Sequence, residues 1–138
     1  MTDVELKDYS WWERYFADGG DWERHGGRQQ TRIFAESFQR HASLPAKGSF
    51  SLLDVGCALG DALESFAAAF PQAQLHGLDF SSTAISRARQ ALGHRVHLRQ
   101  GDIESVDCHF DVIYCSNTLE HFADVDRKAR HLIRHCQR

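Results

Sequence analysis

From position 50 onward, short apolar runs alternate with amphipathic stretches, the pattern of successive strand–helix units built around a parallel sheet. Phe50 to Val55 reads as a first strand. A helix follows from Asp61 to Phe70, with Leu63, Phe66, Ala67 and Phe70 on one face before Pro71 stops it. Gln74 to Leu78 reads as a second strand, and a helix from about Ser82 to Leu92 turns Ile85, Ala88 and Leu92 inward, with Gly93 just past its end. Val96 to Arg99 is a short third strand and Phe110 to Cys115 a fourth. The last helix starts near Asp124, with Val125, Ala129, Leu132, Ile133 and Cys136 on one face and Lys128, Arg130 and Arg134 toward its C-terminal half, where the helix dipole favours cations. The predicted fold class is α/β, with a predominantly parallel sheet of which four strands are present.

The first part of the chain has another texture. Trp11, Trp12, Tyr15, Phe16 and Trp22 interleave with charged residues, which predicts a helical lead-in whose aromatic cluster is core. Ser10 is positioned to cap a short helix running to Asp18, ended by Gly19-Gly20, and Thr31 to His41 places Ile33, Phe34 and Phe38 at helical spacing. Pro45-Ala46-Lys47-Gly48-Ser49 reads as a linker, so the chain divides into a lead-in, 1–46, and an α/β domain, 47–138.

Composition narrows the class. With 138 residues, 42% of them hydrophobic, the length suits one core and one domain. A formal charge of −3 supplies no basic field, which argues against nucleic acid and anionic membranes as partners. No apolar run approaches the roughly 20 residues of a membrane span. The acidic start, Met1-Thr2-Asp3-Val4-Glu5, is not a secretory signal. Cys57, Cys108, Cys115 and Cys136 are irregularly spaced, as suits reduced thiols, and the expected location is the cytoplasm. His131 and His135 share a helix face beside Cys136, but no third ligand can be named, and no metal site is expected.

In an open α/β sheet, ligands bind beyond the carboxyl ends of the strands. After the first strand comes Asp54-Val55-Gly56-Cys57-Ala58-Leu59-Gly60-Asp61, a turn of small residues that lets a ligand approach the backbone closely. A dinucleotide fingerprint would need glycine at position 61, where Asp61 would repel a pyrophosphate. A ligand with ribose and adenine but no phosphates fits better. Asp79, ending the second strand, offers two acceptor oxygens to a pair of ribose hydroxyls. After the third strand, Asp102 can accept from an exocyclic amine while Ile103 packs on a flat base. After the fourth comes Ser116-Asn117-Thr118-Leu119-Glu120-His121-Phe122, polar groups beside an expected reaction centre.

Asp54 to Gly60, Asp79, Gly101-Asp102-Ile103 and Phe110 to Phe122, in that order and spacing, resemble the successive motifs of class I S-adenosylmethionine-dependent methyltransferases of the small-molecule type. The similarity covers roughly residues 50 to 125, and the lead-in with Gly26-Gly27-Arg28 resembles the helical preface of such enzymes. The resemblance implies a Rossmann-like sheet and S-adenosylmethionine as cofactor, leaving as S-adenosylhomocysteine. It implies that Asp54, Gly56, Cys57, Ala58 and Gly60 surround the methionyl part, Asp79 and Phe80 the ribose, Asp102 and Ile103 the adenine, with Ser116 and Asn117 completing the site. Ala58 departs from the commoner glycine and is tolerable there with a negative φ. His121 is the candidate base for a small-molecule methyl acceptor, since imidazole titrates near neutral pH; a structural or substrate-contact role is the alternative.

Two other functions compete with methyl transfer: a methyltransferase-derived module that binds cofactor or partners without catalysis, and a different adenosine-ligand enzyme on the same plan. The resembled family usually has seven strands, so the chain is expected to hold the first part of that sheet, with doubtful activity by itself. Strand four would then be an apolar edge, covered by a homodimer mate, a partner chain, a missing part or the last helix.

Overall fold

The computed structural model describes residues 6–45 and 48–137. The acidic start, the linker positions Ala46 and Lys47, and Arg138 lie outside the described residues. Four parallel strands, β1 (Ser51–Val55), β2 (Gln74–Asp79), β3 (His97–Gln100) and β4 (Val112–Cys115), stand in the order β3-β2-β1-β4. The chain winds outward from β1 through β2 to β3, then returns to place β4 on the other side of β1. The switch in winding direction therefore falls between β1 and β4, where an open α/β sheet splays its loops apart and leaves a ligand crevice.

Both faces of the sheet are covered, which explains why the strands read as apolar runs. Leu52, Leu75 and Tyr114 pack with Leu63 and Phe66 of α4 (Asp61–Ala69) and Ile85 and Leu92 of α5 (Ser82–Leu92). Ala35 and Phe38 of α3 (Gly27–His41) join this layer, so the lead-in shares the core of the α/β unit. On the opposite face, Leu53, Val55 and Leu78 meet Ile103, Val106, Phe110 and Leu132 of α6 (Val125–His135). α5 has the expected span: the Ser81 hydroxyl accepts the Ala84 N–H at 3.0 Å, and Gly93 ends the helix at φ 59°.

The lead-in departs from expectation in its details. Asp8, not Ser10, caps α1 (Tyr9–Tyr15); its carboxylate accepts the Trp11 N–H at 2.7 Å and the Ser10 hydroxyl at 2.9 Å, and a charged acceptor outcompetes a hydroxyl. The helix closes at Tyr15 rather than Asp18. A separate turn, α2 (Asp21–Arg24), follows, and α3 starts at Gly27 rather than Thr31 because Gly26 makes a left-handed corner. β4 begins two residues late because Asp111 turns to β1: its Oδ2 accepts the Ser51 N–H at 2.8 Å, and its own N–H goes to the Ser51 hydroxyl at 2.9 Å. Phe110 forms a parallel bridge with Cys136 instead, donating to His135 O at 2.9 Å and accepting from Gln137 N–H at 2.8 Å.

The apolar face of α6 is only partly buried. Ile133 is 70% exposed and Val125 is exposed, whereas Lys128 and Leu132 are buried. On the inner side Lys128 meets the carboxylates of Asp102 and Glu104. Replacing Leu132 with Ala is expected to cost about 2–4 kcal/mol in urea unfolding, and Ile133 with Ser less than about 0.5 kcal/mol. Equal costs would mean that the helix is rotated the other way.

Candidate functional site

Between β1 and α4 the backbone takes three left-handed corners, at Gly56 (φ 76°), Ala58 (φ 48°) and Gly60 (φ 87°). Leu78 O accepts both the Gly56 and Cys57 N–H groups, at 2.8 and 3.0 Å, so the loop starts pinned to β2. Glycine is required at 56 on a second count: a Cβ there would collide with the Thr118 hydroxyl. Thr118, which the sequence reading did not single out, donates to Val55 O at 3.2 Å and ties the segment after β4 to the end of β1. The condition set for alanine at 58, a negative φ, is not met: its φ is 48°. The residue is held left-handed because its N–H is captured by the Asp79 carboxylate at 2.9 Å, a bond that offsets the steric cost of a Cβ in that region.

Asp79 is 5% exposed, and its other oxygen accepts the Ser81 N–H at 3.0 Å. Burial raises its pKa, the Ser81 and Ala58 N–H groups pull the other way, and the carboxyl ends at about 6. Asp54, on the adjacent strand, is pushed up to about 8 by burial and by the Asp79 charge. Cys57 turns its thiol into the core beside Leu63 and Leu75, and burial raises it well above the ordinary thiol range; it offers the crevice only backbone.

After β3, Asp102 starts a 3₁₀ turn (Ile103–Ser105), accepting the Ile103 N–H at 2.6 Å. The Ile103 side chain is buried among Val55, Leu78 and Val106, on the core side rather than in an open position. After β4, Asn117 takes a left-handed turn (φ 50°) and reaches Gln30 of α3 at 3.4 Å. His121 is 44% exposed, with Glu120 Oε1 4.0 Å from its Nε2 and the Trp12 ring 4.8 Å from its own. Trp12 also meets the Phe80 ring, at 6.3 Å, so one indole spans the segments after β2 and β4.

Of the aromatic lead-in, Phe16 is core: it packs on Ala58, Leu59 and Ala84, with the partly buried Trp12, Tyr15 and Trp22 around it. Two charged residues, legible only in three dimensions, fasten it. Glu13 accepts from Thr83 Oγ1 at 2.6 Å and Ser82 Oγ at 3.0 Å; burial opposes its charge, but hydroxyls of Ser81, Thr83 and Ser82 hold its pKa down at about 2. Arg87 donates to Phe16 O at 3.0 Å and to Glu23 at 2.8 Å. Arg28 and Arg32 of α3 reach the buried Asp61 carboxylate at 3.3 and 3.0 Å. That pairing corrects the argument that Asp61 repels anions, because the carboxylate is matched by two guanidinium groups at the start of α4.

Among the described residues, no group of three or more His, Cys, Asp or Glu side chains is placed to hold a metal ion. His131 and His135 bond instead to Val106 O at 2.9 Å and His131 O at 2.8 Å. No helix among the described residues is long and apolar enough to cross a membrane. A cavity of about 210 Å³ opens against β2 and β3, between His76, His97, Arg99, Cys108 and Phe110, away from the loops described above.

The winding and the left-handed loop that joins β1 to the next helix define a Rossmann-like α/β architecture. Residues 53–138 match the methyltransferase domain family, and the chain belongs to it. It is similar to trans-aconitate 2-methyltransferase of Deinococcus radiodurans, 30% identical over 94 residues that cover 68% of this chain and 36% of the relative. It is similar as well to the ubiquinone biosynthesis O-methyltransferase of Nitrosospira multiformis, 36% identical over 92 residues, 62% of this chain and 36% of the relative. The chain thus spans about a third of the length of these relatives. The fold is shared with magnesium protoporphyrin IX methyltransferase from Synechocystis PCC 6803, solved with bound SAM, at a TM-score of 0.70 and 19% identity over 99% of this chain and 76% of that one.

The two buried aspartates give the site a pH signature. A carboxyl with a raised folded-state pKa stabilises the fold below its ordinary value of 3.8 and loses that contribution as pH climbs through the folded value, about 6 for Asp79 and about 8 for Asp54. Stability in melting experiments is therefore expected to fall between about pH 4 and 8 and to level off above that. Asp54→Asn flattens the fall and melts about 5 °C or more above the unsubstituted protein at pH 9. Parallel curves for the two proteins would contradict the assignment.

Proposed function

We propose that this chain carries the S-adenosylmethionine-binding part of a methyltransferase that acts on a small-molecule acceptor. The observation that supports the reading is that the Gly56–Gly60 loop, Asp79, Asp102 and segment 116–121 each lie at or just beyond the carboxyl end of one of four parallel strands, with Asp79 bonded to Ala58. Asp54, Gly56, Cys57, Ala58 and Gly60 line the methionyl end, the loop through its backbone. Arg28, Arg32 and Asp61 bring both signs of charge to the Gly60 side, which suits a zwitterionic amino-acid tail. Asp79 has lone pairs left after its two amide bonds, and these accept ribose hydroxyls, with Phe80 beside them. Asp102 takes the adenine amine, and Ile103 backs that loop from the core. Ser116 and Asn117 border the reaction centre.

Bound S-adenosylmethionine supplies an electrophilic methyl group. The chain's own contribution is orientation and exclusion of water, terms that dominate a displacement in which the electrophile arrives activated. Trp12 and Phe80 wall the crevice, and the Nε2 of His121 is the atom positioned to take the acceptor's proton. The named relatives act on aconitate and in ubiquinone biosynthesis, which supports a small organic acceptor.

Calorimetry with S-adenosylhomocysteine and the full chain tests this reading. Binding is expected, weakened at least about tenfold by Asp79→Asn, which keeps the side chain's shape while removing its charge. No binding by the unsubstituted protein would overturn the proposal, and undiminished binding by the variant would remove the ribose role of Asp79.

A further inference from the structure

Lys128 is the one cation whose side chain α6 buries, at 5% exposure, and nothing in the loop chemistry above uses it. Its Nζ lies 2.6 Å from Glu104 Oε2 and 3.2 Å from Asp102 Oδ1, and 4.9 Å from the centre of the Phe122 ring. The ammonium is thus enclosed by two carboxylates and a π face. Burial alone would lower its pKa; the carboxylates of Glu104 and Asp102 prevail and hold it raised.

The lysine is buried but its partners are not: the Glu104 and Asp102 side chains are 36% and 57% exposed, so water screens the pairing and the ion pairs add little to stability. α6 also has anchors that do not involve Lys128. Arg127 holds Glu104 at 2.7 Å and Asp124 at 2.6 Å, and Leu132 sits in the core against the sheet. Docking of the helix therefore does not explain a buried ammonium at 128. Arg127 also reaches Glu104, but of the two cations only Lys128 bonds the Asp102 carboxylate.

Among the described residues, the hydrogen bonds to Asp102 converge on one oxygen: Oδ1 accepts the Ile103 N–H at 2.6 Å and the Lys128 ammonium at 3.2 Å. Two donors from different directions fix the plane of the carboxylate. The other oxygen, Oδ2, is left as the acceptor of a side chain that is 57% exposed. We propose that Lys128 is a positioning residue for base recognition: by clamping Oδ1 it aims Oδ2 at the exocyclic amine of a bound adenine. The same lysine ties the loop after β3 to Phe122 in the segment after β4, so the base end of the crevice and the segment bearing His121 are braced by one side chain. This inference rests on the assignment of Asp102 to the adenine.

The test compares, by calorimetry with the full chain, S-adenosylhomocysteine and its analogue lacking only the 6-amino group. The unsubstituted protein is expected to prefer the amino compound about tenfold or more, the effect of one hydrogen bond to a charged acceptor. Lys128→Met is expected to melt within a few degrees of the unsubstituted protein yet reduce that preference to about twofold or less. Lys128→Arg, which keeps a cationic donor, retains it. Lys128→Gln serves as the second neutral variant if Lys128→Met does not fold. A folded neutral variant that keeps the full preference overturns the role of Lys128 alone. No preference in the unsubstituted protein overturns the Asp102 assignment and this inference with it, and no binding of either compound overturns the cofactor reading itself.

Discussion

Asp79 is a carboxylate almost wholly out of water, and its two oxygens accept N–H groups from opposite sides, Ala58 in the loop after β1 and Ser81 at the start of α5. The arrangement sets the geometry of everything around it. A left-handed alanine is tolerable only because the N–H it presents is wanted by a charged acceptor, and that corner shapes the loop between Gly56 and Gly60. Burial and the charge of Glu13 raise the electrostatic cost of Asp79, and Asp79 in turn raises Asp54, so the site keeps more proton affinity than surface aspartates do. In the proposed reading, a ligand that donates hydroxyls to Asp79 relieves part of that cost.

The lead-in works on the same loop from outside. Phe16 covers Ala58 and Leu59, while Glu13 and Arg87 strap α1 and the turn after it to α5. Arg28 and Arg32 bring α3 to the start of α4 by pairing with Asp61. The lead-in is therefore part of the wall of the crevice, and a domain boundary drawn on composition near position 46 separates segments that share one core. At the far side, α6 steadies the loop after β3 through Lys128, so each of the loops that meet at the crevice is held by a charged contact from another element.

Much of this was legible in the chain. Periodicity located every strand and the helices after them, because β1 and β2 are buried on both faces and α4 and α5 carry clean apolar stripes. The loops were found because small and acidic residues cluster where strands end. What escaped were choices made by competition between polar groups. Asp8 displaced Ser10 as a cap, Asp111 delayed β4 by pairing with Ser51, and Lys128 lies buried on α6 while Ile133 faces solvent. Ala58 was misjudged because the bond that makes its backbone acceptable comes from a residue on the next strand. Long-range pairs such as Glu13 with Thr83 or Arg28 with Asp61 leave no trace in local spacing.

The central claim is that the left-handed loop, Asp79 and the turn at Asp102 form one nucleoside crevice. Amide chemical-shift mapping during titration with S-adenosylhomocysteine tests it residue by residue. The account predicts the largest shifts at residues 56–60, 79–81 and 101–104, with smaller ones at 116–121. Shifts gathered instead around His76, His97 and Phe110, at the cavity on the face of β2 and β3, would contradict it.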